Sequence, residues 1–418
     1  MSINNGSIDV KSECLCIPAN SLVTRLAEIK LVASEKQTDN FHPSMNLALV
    51  IDRSGSMLGE KIASVKKAVS YVLNILSDQD SVAIYSFDDR IDCLTPLASV
   101  TSENRRKFKS AVNALLAGGT TDLFSGWVAG AQELKDLPSH STLNRVLLLT
   151  DGGANVGIVQ IPEISAKCAE YFELGVSTST FGVGDGFNED LLSKMSSTGG
   201  GNFHYIAEPA AISKVFMSEL KELNLTTIKD TMLTVTYPVG GSATYVGPFT
   251  VQQDAYRMSV LFGEMGSLQE QELYLTLNLP ETQLGLDVSF RFTFSFRLLD
   301  GSTYQIESSL NFTAVDEAAM GEAAVDEELI SRSTAVYASN VQFMALNLYR
   351  EGNQQKALLT IDEFIDANSD RITSEVLAEL SIVREAVEED ASASRRKELH
   401  AQKYMHIRGR SKLINSDD

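Results

Sequence analysis

Between about residues 46 and 223 the chain alternates short apolar runs with amphipathic stretches of helical period. The apolar runs cover residues 47–51, 81–87, 146–150 and 176–181. Residues 61–76 place Ile62, Val65, Val69, Val72, Leu73 and Leu76 on one face, which predicts a helix. Similar patterns predict helices over 103–115, 123–137, 161–173, 189–196 and 209–223. Strand and helix in turn imply an α/β domain with a doubly wound, mostly parallel sheet. The first and third runs are nearly all apolar, as strands covered on both faces must be, so they should lie at the centre. Residues 91–97 read as a hairpin partner of the preceding strand, and Pro96 suits a sheet edge.

Beyond Leu225 the period changes to two. Residues 232–237, 257–262, 272–278, 288–297 and 303–309 alternate apolar and polar positions between turns, which predicts an antiparallel β-sandwich. Segments 8–17 and 26–32 have the same strand character and should complete that sandwich, leaving the α/β domain inserted in it. From about Val325 the pattern is helical again, with Val336, Phe343, Leu346 and Leu348, a break at Gly352, then Ala357, Leu358, Ile361, Phe364 and Ile365. Residues 345–358 look like one tetratricopeptide-type hairpin without a second copy, so a short C-terminal helical bundle is expected. The expected domains are N-terminal sandwich strands at 1–43, the α/β domain at 44–224, the sandwich at 225–316, helices at 317–404 and a flexible tail at 405–418.

Composition narrows the function. A net charge of −20 over 418 residues argues against a general nucleic-acid surface, because phosphate neutralisation needs clustered Lys and Arg. A local exception carries Arg395, Arg396, Lys397, Lys403, Arg408, Arg410 and Lys412 against the acid Glu398, and reads as a solvated tail. No apolar stretch suits a signal peptide or a membrane span of about 20 residues, so a cytoplasmic location and no membrane span are expected. Cys14, Cys16, Cys93 and Cys168 are expected to be reduced and structural. His42, His140, His204, His400 and His406 are scattered and receive no metal or catalytic role, and Trp127 is expected to pack on a helix face.

The candidate chemistry starts at Asp52-Arg-Ser-Gly-Ser56, at the end of the first central run and before a helix. Carboxylate and hydroxyl oxygens at alternate positions of a tight loop can converge on one small hard cation. An α/β sheet places its ligands at such a loop. The same residues could instead cap the following helix. Asp151, before Gly152 and Gly153, could be only a turn, and Asp88, Asp89 and Asp122 are expected to be solvated loop acids.

With these residues the chain resembles the von Willebrand factor A (VWA) domain family, whose metal-ion-dependent adhesion site (MIDAS) has the pattern Asp-x-Ser-x-Ser on its first strand. Later segments fit the resemblance: Gly118-Gly-Thr-Thr-Asp-Leu-Phe-Ser-Gly126, Leu148-Leu-Thr-Asp-Gly-Gly153, Ser86-Phe-Asp88 and Phe181-Gly-Val-Gly-Asp-Gly-Phe187. It covers roughly residues 46–223 and implies a Rossmann-like fold. It also implies a metal site of Asp52, Ser54, Ser56, Thr121 and Asp151, with Thr121 preferred to Thr120 for its spacing to Gly126. The cofactor implied is Mg2+, with Mn2+ or Ca2+ as alternatives. Hydroxyls of Ser54, Ser56 and Thr121 would bind the ion, Asp52 and Asp151 would act directly or through water, and one coordination position would accept an Asp or Glu carboxylate of a protein partner. Local basic groups such as Arg53 could assist against the acidic body.

Enzyme readings fit poorly. A haloacid-dehalogenase-type phosphohydrolase would want an aspartate where Ser54 stands, and neither a Gly-x-Ser-x-Gly elbow nor a phosphate loop occurs. The expected function is therefore a magnesium-dependent protein-binding module, not an enzyme. The alternative is an adaptor or scaffold of a larger multi-protein complex, for example an ATPase-associated one, that makes its main contacts through the sandwich or helical region.

Overall fold

The computed structural model describes residues 6–35, 43–137, 142–389 and 392–407. It divides into two compact units, one of residues 36–226 with 299–302, the other of 1–35, 227–298 and 303–418.

The chain opens on β1 (Ser7–Ser12), β2 (Cys16–Pro18) and β3 (Val23–Val32). The single strand expected over 8–17 is thus two, and they enter different sheets. Side chains explain the break: the Ser12 hydroxyl donates to the Leu26 carbonyl (2.8 Å) and the Leu26 amide donates to the Glu13 carboxylate (2.7 Å). Those bonds take the place of a continued ladder.

The α/β unit runs β4 (Ser44–Asp52), α1 (Glu60–Ile75), β5 (Ser81–Phe87), β6 (Ile91–Ser99), α2 (Ser102–Asn113), α3 (Leu123–Leu134), β7 (Thr142–Thr150), α4 (Ile161–Glu173), β8 (Val176–Val183), α5 (Glu189–Thr198), β9 (Gly200–Ile206) and α6 (Ile212–Leu225). Its sheet has the order β6-β5-β4-β7-β8-β9. All pairings are parallel except β5 with β6, the edge strand that carries Pro96. The apolar β4 and β7 sit in the middle, since both faces of each are covered. Strand β9, glycine-rich and unmarked by an apolar run, is an element that periodicity does not reveal.

Two small residues let α3 lie close to this sheet. A Cβ at Gly126 would stand 2.5 Å from the Phe87 ring, and Gly130 lies against Val50. Trp127, on the same helix, is fully buried, donates from Nε1 to the Thr178 hydroxyl (3.1 Å) and meets the Tyr171 ring edge-on at 5.4 Å. It is a core residue.

The second unit continues with β10 (Thr226–Thr236), β11 (Ser242–Tyr245), β12 (Thr250–Gln253), β13 (Arg257–Gly266), β14 (Glu270–Leu279), β15 (Asp287–Leu298) and β16 (Thr303–Val315). One sheet has the order β1-β3-β14-β11, the other β12-β13-β10-β15-β16-β2. The pairs β1–β3, β3–β14, β14–β11, β12–β13, β10–β15 and β15–β16 are antiparallel, and the short contact of β16 with β2 is parallel. The period of two is plainest in β15, where Val288, Phe290, Phe292, Phe294, Phe296 and Leu298 all turn into one apolar core fed by both sheets. Strands β11 and β12 are too short to show that period.

Helices α7 (Glu317–Glu322), α8 (Glu327–Arg350), α9 (Gln354–Ala367), α10 (Ser374–Glu388) and α11 (Ala393–Ile407) follow. Gly352, with φ 82°, turns the chain between α8 and α9 in a left-handed conformation that favours glycine. The buried residues of α8 include small or polar ones such as Ser333, Ala338, Gln342 and Ala345 beside Leu329 and Leu346, while Val336, Phe343 and Leu348 are only half-buried. The expected tail at 405–418 lies outside the described residues beyond Ile407, as do His42, His140, Arg408, Arg410 and Lys412.

Candidate metal centre

The order of the α/β sheet reverses at β4, whose neighbours β5 and β7 lie on opposite sides. The crevice at the carboxyl ends of β4 and β7 is where such sheets bind ligands. Asp52 ends β4, Asp151 follows β7, and Thr121 comes from the loop between α2 and α3. Three loops therefore meet at one mouth.

The backbone ties them together. The Gly55 amide donates to the Gly119 carbonyl (3.0 Å), the Gly118 amide to the Arg53 carbonyl (2.7 Å), and the Asn155 amide to the Thr121 carbonyl (3.2 Å). The Thr121 amide in turn donates to the Asn155 side chain (3.0 Å). A Cβ added at Gly152 would stand 3.5 Å from Thr121 Oγ1 and 3.8 Å from Ser56 Oγ, so hydroxyls of two different loops flank the third. Thr120, by contrast, is exposed.

Asp52, Ser54, Thr121 and Asp151 are buried, and Ser56 stands at the exposed edge. Asp52 Oδ1 accepts the Ser54 amide (2.7 Å), and Oδ2 accepts the Thr150 hydroxyl (2.5 Å). Ser54 Oγ and Ser56 Oγ are 3.1 Å apart, and Ser56 donates to Asp151 Oδ1 (2.6 Å). The other oxygen of Asp151 meets the Lys61 ammonium at 2.5 Å. Burial pushes the Asp52 carboxyl above the usual range and the charge of Asp151 adds to that, against hydrogen bonds from Thr150 and Ser54. The helix-cap alternative fails: Ser54 makes no side-chain cap bond to the short turn Gly55–Met57, and Gly59 stands before α1.

Several neighbours differ from their sequence reading. Asp88 is not a solvated acid; it is buried, and both its oxygens face Arg53, at 3.2 Å from Nη2 and 3.1 Å from Nε. Arg53 is also paired with Asp92 (2.7 Å), so it braces the loop and is not a spare cation at the mouth. Asp122 caps α3 by accepting the Ser125 amide (3.1 Å), which leaves Asp89 as the exposed member of that group. Thr150, Lys61 and Asn155 are site residues that sequence reasoning missed. Each is a single polar residue without a spacing pattern, and Lys61 reads as the start of a helix.

The donors are oxygens: two carboxylates and three hydroxyls. Among the described residues no group of three or more His, Cys, Asp or Glu side chains is placed to hold a metal ion. That donor set suits a hard cation such as Mg2+ and not zinc or copper.

An α/β unit with a hydroxyl-rich loop cluster at its switch point defines the class of this domain. Residues 46–218 match the von Willebrand factor type A domain, and this part of the chain is a VWA domain. The chain is similar to the uncharacterized protein YfbK of Escherichia coli (strain K12), 31% identical over 209 residues that cover 49% of this chain and 36% of that protein. It is also similar to the voltage-dependent calcium channel subunit alpha-2/delta-2 of Mus musculus, 29% identical over 178 residues, 40% of this chain and 15% of that one. The chain thus spans well under half the length of these relatives. Among solved structures, a von Willebrand factor type A protein from Catenulispora acidiphila superposes with a TM-score of 0.77 at 16% identity, covering 96% of both chains, a likeness of fold. No helix among the described residues is long and apolar enough to cross a membrane.

Proposed function

We propose that the chain is a magnesium-dependent protein-binding module that takes an Asp or Glu side chain of its partner at the mouth formed by Asp52, Ser54, Ser56, Thr121 and Asp151. The observation that carries this reading is the meeting of two carboxylates and three hydroxyls from three loops. A cation bound there would supply positive charge toward an incoming carboxylate, because only two formal negative charges face it. Asp52 would be oriented by Thr150 and Ser54, Asp151 by Ser56, and the loop by the Arg53–Asp88 pair. Ser56 stands at the exposed edge, the side from which a partner would approach.

We assign no reaction to the site. Its serine hydroxyls engage each other and Asp151, and the described residues bring no histidine base to them. The relative from mouse named above is a channel subunit, which accords with a role in assembly.

The test is capture of partners from lysate by the intact chain in Mg2+, in chelator, and with Asp52→Ala. Capture lost under both treatments is expected. Capture indifferent to both would move the contact elsewhere, to the sandwich or to the helices, where Met344, Leu359, Leu377 and Ile382 are exposed.

A further inference from the structure

Lys61 occupies a place that helix stability does not favour. It is the second residue of α1, where the helix's own partial positive charge opposes a cation. Its stem passes Gly184, where a Cβ would stand 3.8 Å from Cε and 3.9 Å from Nζ. Its ammonium reaches the buried Asp151, 2.5 Å from Oδ2, while Ser56 holds Oδ1 at 2.6 Å. The Asp151 side chain is 0% exposed and that of Lys61 is 30% exposed.

Three physical facts follow. Ionising a carboxylate buried this deeply is costly without a compensating partner, and for Asp151 the Lys61 ammonium supplies one. A second cation placed on the same cluster would repel the ammonium strongly, because the surroundings screen little. The lysine stem is flexible and has an exposed flank, so the ammonium can withdraw to water.

We infer that Lys61 is a resident cation that alternates with the divalent ion: it neutralises Asp151 in the metal-free protein and leaves that carboxylate when the ion binds. This rests on the functional reading above. The lysine then sets the Mg2+ affinity below what the oxygen donors would give, and it keeps the metal-free loops assembled. A fixed brace would behave differently, since removing it would misplace Asp151 and weaken the ion.

The full chain tests this through Mg2+ titration by calorimetry and thermal unfolding, with wild type, Lys61→Met and Lys61→Gln. Both variants are expected to bind Mg2+ about tenfold more tightly, equivalent to about 1.4 kcal/mol. Their rise in melting temperature on adding Mg2+ should exceed that of wild type, because their metal-free forms leave Asp151 uncompensated. Equal or weaker binding by a variant overturns the role of Lys61 and leaves the metal site standing. Absence of Mg2+ binding in wild type as well overturns both. A readout on the unmodified sequence is the rate of reductive methylation at each lysine, followed by mass spectrometry. Mg2+ should speed labelling of Lys61 relative to Lys66 and Lys67 of the same helix, and an unchanged or slower rate would refute displacement.

Discussion

Glu219 and Asp52 are both fully buried carboxylates of the α/β unit, and they are treated in opposite ways. Glu219, on α6, is met by four donors: Arg145 Nη1 (2.6 Å) and Ser179 Oγ (2.5 Å) at Oε1, Asn202 Nδ2 (2.8 Å) and His204 Nε2 (2.8 Å) at Oε2. Burial pushes its carboxyl up, but the Arg145 charge and the bonds from His204 and Ser179 win and hold it well below the usual range. Asp52 is held by neutral donors of Ser54 and Thr150, faces the charge of Asp151, and has its carboxyl pushed up by burial. The first carboxylate is completed by the protein's own charge and ties a helix to the sheet. The second draws no ion pair from the described residues, the kind of electrostatic imbalance that marks functional sites.

The largest effect should come from breaking the completed cluster. Arg145→Met leaves Glu219 buried without its cation and is expected to cost about 3–5 kcal/mol, measured by urea unfolding in chelator. A loss below about 1 kcal/mol would mean that the neutral donors suffice, and the contrast would collapse. The next effect comes from the incomplete cluster. With Mg2+ at about one hundred times its Kd, wild type should gain about 2.7 kcal/mol, and Asp52→Asn should gain nothing. Equal gains would place the ion away from Asp52.

The same contrast extends from charge to shape. Gly126→Ala drives a methyl into the Phe87 ring behind the Thr121 loop and should cost about 1–3 kcal/mol on thermal or urea unfolding. At the open side of the site, nothing lies within 4 Å of a Cβ at Gly153, and Gly153→Ala should stay within about 0.5 kcal/mol of wild type.

These features were unequally legible in the sequence. Asp52, Ser54 and Ser56 could be read because one tight loop carries them at a fixed spacing, and β4 and β7 because their covering makes them continuously apolar. Gly126 helped to choose Thr121 over Thr120, and the structure places Thr121 beside Gly152 while Thr120 faces solvent. The Glu219 cluster could not be read. Its members come from β7, β8, β9 and α6, and each looks like an ordinary polar residue until the sheet brings them together. Lys61 and Arg53 were obscured for the same reason, since a lone lysine or arginine near a helix start does not announce which carboxylate it will meet.

The effect that separates the clusters most sharply is their pH dependence in chelator. Asp52 has a folded-state pKa above its unfolded value, so its contribution to stability is fully present below the unfolded value and is lost as pH rises through the folded one. Ionised Asp52 therefore weighs against the metal-free fold at neutral pH, and Asp52→Asn removes that cost. The stability gained by Asp52→Asn should be largest at neutral pH and shrink as pH falls toward the ordinary Asp value of about 3.9. Glu219 carries the opposite sign: its depressed pKa gives stability that is present above the unfolded value and lost as pH falls through the folded one. The penalty of Glu219→Gln should then stay level from neutral pH down to about 4.3 and diminish only below it. Urea unfolding across that range checks both curves. A benefit of Asp52→Asn that does not change with pH would show that its origin is packing, and the electrostatic distinction between the two carboxylates would not hold.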